Sequence, residues 1–177
     1  VSAAVIRINR APVLTLWAAL VAQRLGFDED EALTLGRAVA GLNAYSKGVS
    51  LGLFHPAERG AKKRRSDLAH GEELHIALLH RAVPAVRTKA GVRALDKGKP
   101  ASPDAVRRYL AGKFKDSLAP ATAAMRALAA SMPKEQLSDR AYALYERFRP
   151  AIPGGARGWG AAGDLDLERV RTLARRG

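Results

Sequence analysis

The sequence predicts a mainly α protein of the α+β class: a compact helical domain of about six helices with a small β-hairpin or edge sheet. Three observations predict it. Apolar residues fill 47% of the chain while aromatics fill only 6%, so the apolar content is largely Ala, Leu and Val, a mixture that favours helices over sheet. Apolar spacings of three and four recur along most of the chain, whereas clean alternation is confined to two short stretches. The length of 177 residues suits a single domain, 1–177, with ample core.

The first stretch, "AVIRI" at 4–8, alternates and reads as a strand able to join a small sheet. "PVLTLWAALVAQRLGF" follows with Pro12 in a first helical turn and Val13, Leu14, Trp17, Leu20, Val21 and Leu25 at helical spacings. Gly26 ends that helix in a left-handed conformation, and Asp28 with Glu31 forms the D-x-x-E start of the next. The second helix buries Ala32, Leu35, Val39 and Leu42, with Gly36 and Gly41 allowing close approach, and ends near Lys47 and Gly48. The corner between these helices compares with a DNA-reading helix-turn-helix. Glu29, Asp30 and Glu31 would then face phosphates, so the acids are better explained by the helix dipole and the hairpin by packing.

Residues 48–72 keep neither helical nor strand period and contain "GAKKRRSD", which predicts an exposed basic loop carrying Lys62, Lys63, Arg64 and Arg65. Leu74, Ile76 and Leu78 then alternate, and Lys89-Ala90-Gly91 can turn a hairpin; Pro84 is expected to hold its strand at an edge or bend it. Ser102 and Pro103 start a helix that buries Val106, Tyr109, Leu110 and Phe114 and turns Arg107, Arg108, Lys113 and Lys115 outward. An Ala-rich helix through "PATAAMRALAASM" follows, then one from Pro133 with Leu137, Ala141, Leu144, Tyr145 and Phe148 as its stripe. Residues 150–164 read as a Gly-rich loop folded over Trp159, and Asp164 or Asp166 starts a short terminal helix. The glycines lack the order of a phosphate-binding loop, and aspartates stand where a phosphate would sit.

Charge carries the functional argument. The chain bears +13, distributed as 0 over residues 1–45, +7 over 46–101 and +6 over 102–177. An excess of this kind speaks to polyanionic partners and solubility. The expected function is nucleic-acid binding (DNA or RNA), largely independent of sequence, with phosphates contacted by Lys62, Lys63, Arg64, Arg65, Arg107, Arg108, Lys113 and Lys115. The alternative is a protein-interaction or structural module that binds an acidic partner or self-associates into a homo-oligomer through its helices. An enzyme ranks third, because no nucleophile or cofactor motif is present. His70, His75 and His80 recur every five residues, which suits neither one helix face nor one strand face, so no metal or cofactor is expected from them. Cysteine is absent and no apolar run approaches a membrane span, consistent with a cytoplasmic protein without membrane contact; the start does not read as a secretory signal.

Overall fold

Helix α1 (Arg10–Arg24) is buried without interruption from Pro12 to Ala22, and most of the other helices pack against it. A helix apolar on every side needs neighbours on every side. The computed structural model describes residues 5–50, 73–151 and 162–176; of 44–50 only the helical path is described. Expectations that fall on 51–72 and 152–161 lie outside the described residues.

α2 (Glu29–Ser50) folds back along α1. Gly26, at φ 119°, makes the corner in a region that favours glycine. The capping box forms in full: Glu31 N donates to Asp28 Oδ1 at 2.8 Å and Asp28 N to Glu31 Oε1 at 3.0 Å. Gly36 brings the helices together, since a Cβ there would stand 2.6 Å from the Thr15 carbonyl oxygen. Gly41 has no such role, because a Cβ there would meet nothing within 4 Å. α2 also continues to Ser50, past the end expected at Lys47 and Gly48, so the first residues of the anticipated 48–72 loop are helical.

The sheet is an antiparallel meander of β2 (Glu73–Leu78), β3 (Arg81–Thr88), β4 (Gly91–Asp96) and β5 (Lys99–Pro100). Ahead of it in the chain lies β1 (Val5–Asn9). Pro84 sits in an inner strand rather than an edge one, yet the pairing of β3 with β4 covers only Ala85–Thr88. The missing amide therefore falls where the ladder has a neighbour on one side only. α2 packs on β4 and supplies two acceptors to it: Val92 N donates to Glu31 Oε2 at 2.9 Å and Ala94 N to Thr34 Oγ1 at 3.0 Å.

α3 (Pro103–Phe114), α4 (Leu118–Ala130) and α5 (Lys134–Phe148) complete the helical layer. Ser102 caps α3 through a 3.2 Å bond from Ala105 N, with Pro103 in the first turn. Trp17 Nε1 donates to the Ala141 carbonyl at 2.9 Å, and its ring meets Phe148 edge-on at 5.3 Å. Arg10 and Arg24 clasp α1 at its two ends, donating to the carbonyls of Pro150 and Met132. Of the residues expected in the core, Trp17, Leu20, Leu35, Val39, Leu110, Leu144 and Phe148 are buried, and Tyr109 is half-buried.

The N-terminal strand does not join the meander. β1 pairs antiparallel with β6 (Ala162–Asp166) as a separate two-stranded sheet, Ile6 opposite Leu165 and Ile8 opposite Gly163. Residues 162–164, read from sequence as the end of the Gly-rich loop, are therefore strand. Alternation in β1 presents Ile6 and Ile8 to the core, and β6 covers the same face with Leu165 and Gly163. The chain then enters α6 (Leu167–Arg176), where Asp166 Oδ1 accepts from Glu168 N at 3.0 Å. α6 buries Leu167, Val170 and Leu173, largely against α4. Among the described residues no helix is long and apolar enough to cross a membrane.

Candidate nucleic-acid interface

Of the side chains expected to meet phosphate, Lys62, Lys63, Arg64 and Arg65 lie outside the described residues. The other four share α3 and the residue after it, but they do not form one track. Adjacent residues on a helix point about 100° apart. Arg108 is exposed, while Arg107 turns toward the first turn of α2.

There Arg107 is held by three carboxylates. Its Nε donates to Glu29 at 3.2 Å, its Nη1 to Asp104 at 2.6 Å and its Nη2 to Asp30. The hydrogen bond to Asp30, followed by that to Glu29, holds its pKa above the ordinary arginine value against the cost of desolvation. Arg93 of β4, a buried cation, stands 3.9 Å from the other Asp30 oxygen and donates to the Val92 carbonyl at 2.9 Å. The acids that open α2 are thus tied to α3 and β4. Sequence reasoning missed this because Asp30 and Arg107 are 77 residues apart.

Arg108, Lys113 and Lys115 are exposed and make no ion pair among the described residues. Lys115 ends α3 at φ 52°, outside the helical region. Arg37 of α2 lies 4.2 Å above the Tyr109 ring, a cation–π contact on the same side of the molecule as α3. Burial raises the Tyr109 phenol pKa, and Arg37 opposes the rise.

A second basic region was not singled out from sequence. Arg169 Nε donates to the carbonyl of Arg147, which joins the start of α6 to the end of α5. Arg147, Arg169 and Arg176 line one cleft of about 280 Å³ together with Thr172, Asp166 and Glu168. Its carboxylates are engaged: Asp166 caps α6, and Glu168 pairs with Arg171 at 2.6 Å. Positions 169, 172, 173 and 176 follow helical spacing, so the pattern "LERVRTLARR" held the signal. Arg147, Arg175 and Arg176 are exposed, with no ion pair among the described residues.

The described histidines do not converge. His75 pairs with Glu73 at 3.0 Å, and His80 occupies the β2–β3 turn at φ 62°. Among the described residues no group of three or more His, Cys, Asp or Glu is placed to hold a metal ion. Comparison of the chain with protein-family models, curated proteins and solved structures finds no match.

Proposed function

We propose that this protein binds nucleic acid through its phosphates, largely independently of sequence. The observation that carries the reading is the set of cations left exposed on α3 and at the junction of α5 and α6. Carboxylates near α2 and at the start of α6 are used in caps and ion pairs, while Arg108, Lys113, Lys115, Arg147, Arg175 and Arg176 are exposed with no carboxylate partner among the described residues. Cations of this kind release condensed counterions when they meet a phosphate backbone. Arg107 is a structural cation in this reading. Lys62, Lys63, Arg64 and Arg65 remain part of the proposed contact on the strength of their charge alone.

The test is a fluorescence-anisotropy titration of labelled duplex DNA across a salt series. Affinity should fall linearly in log–log, similarly for unrelated sequences. Replacing Lys62, Lys63, Arg64 and Arg65 by Ala should lower the slope by roughly 3–4. A parent protein that fails to bind DNA at low salt, or whose binding persists or strengthens as salt rises, sinks the reading and leaves the interaction module in its place.

A further inference from the structure

We infer that the cleft where α1, α2, α3 and α4 converge binds a small amphipathic carboxylate, its chain in the apolar interior and its head group on Arg126. The cleft, open to solvent on one side, has a volume of about 380 Å³, within the size range of small-molecule sites. At about 30 Å³ per water-sized group it holds roughly a dozen non-hydrogen atoms. Leu16, Leu20, Leu33, Leu110 and Leu118 form much of its wall, so the interior offers an aliphatic body dispersion contacts and release from water.

The rim decides the head group. Within the lining, Glu29 and Arg107 already satisfy each other at 3.2 Å, which leaves that acid little reason to recruit a cation. From α4, Leu118, Thr122 and Arg126 line the cleft, four residues apart on one stripe. Arg126 makes no ion pair or hydrogen bond among the described residues. A guanidinium beside an apolar pocket, with Thr122 one turn away and Gln23 also in the lining, matches a carboxylate joined to an aliphatic chain. A hydrated polyanion would not enter such an interior, so this site is separate from the proposed phosphate contacts.

Isothermal titration calorimetry with octanoate and with 1-octanol tests the inference. Octanoate should fill one saturable site. Arg126→Gln should weaken octanoate about tenfold or more while changing 1-octanol less than about threefold, because only the head-group contact is lost. Ala111 lines the cleft yet is exposed, so Ala111→Phe fills the mouth without entering the core and should weaken both ligands about tenfold. No saturable octanoate binding by the parent protein, or an unchanged octanoate affinity in either variant, overturns the site, whatever the DNA titration shows.

Discussion

At the junction of α2 and α3, Arg107 is surrounded by Glu29, Asp30 and Asp104; at the junction of α5 and α6, Arg147, Arg169 and Arg176 share a cleft whose two carboxylates are engaged elsewhere. Both junctions place arginine between neighbouring helices, Arg107 alone at the first and three guanidinium groups at the second. Only the second leaves guanidinium groups open to a partner. Charge summed along a chain therefore says less than charge left over after folding. The +13 of the sequence includes cations that bond carbonyls, as Arg10, Arg24 and Arg93 do, and a cation that bonds carboxylates, as Arg107 does.

The largest effect is expected where both junctions are anchored, in α1. Trp17 is fully buried and bonds the backbone of α5. Trp17→Ala removes that bond and leaves a cavity, and should cost about 3–5 kcal/mol in urea unfolding. A loss below about 1 kcal/mol would show that α5, and the arginine junction with it, is held by other means.

Next comes the arginine junction. Replacing Arg147, Arg175 and Arg176 by Ala should lower the log–log salt slope on duplex DNA by roughly 2–3. Stability should change little, since exposed charges typically contribute less than about 1 kcal/mol each. Arg107→Gln is the opposite case: the melting temperature should fall further than for Arg108→Gln, and the salt slope should stay at the parent value. A slope that drops for Arg107→Gln as much as for Arg108→Gln would erase the distinction between the junctions.

The sequence made one side of this comparison partly legible and hid the other. Local signals were reliable: Asp28 and Glu31 specify a capping box within four residues, Ser102 and Pro103 mark a helix start, and Leu74, Ile76 and Leu78 show a strand. Such features depend on neighbours in the chain. The β1–β6 pair was hidden because its strands lie more than 150 residues apart and "AGDLD" resembles a loop when read alone. The capture of Arg107 was hidden for the same reason, since its acids belong to another helix. The α6 arginines could have been found. Leu167, Val170 and Leu173 fix the buried face, which leaves Arg169, Arg175 and Arg176 on the outside.

Arg37 is the intermediate case, and it yields the smallest expected effect. Its exposed side chain pairs with no carboxylate among the described residues and lies 4.2 Å above the ring of Tyr109. If the ring face holds the cation as Asp30 holds Arg107, Arg37→Gln should cost about 0.5–1 kcal/mol of stability and leave the salt slope unchanged. The phenol provides an independent reading. Burial raises the Tyr109 pKa and the guanidinium opposes that rise by favouring the phenolate, so removing the charge should move the pKa further upward. The Tyr145 phenol is also raised by burial, but the cations that oppose its rise are Arg10 and Arg149, so it should not follow. Residue-resolved NMR of labelled tyrosine rings across an alkaline titration separates the two. An upward shift at Tyr109 alone, with no change in slope, places Arg37 with the cations that folding consumes. A lowered slope with an unmoved Tyr109 places it with those left for a partner, and extends the open surface from α3 onto α2.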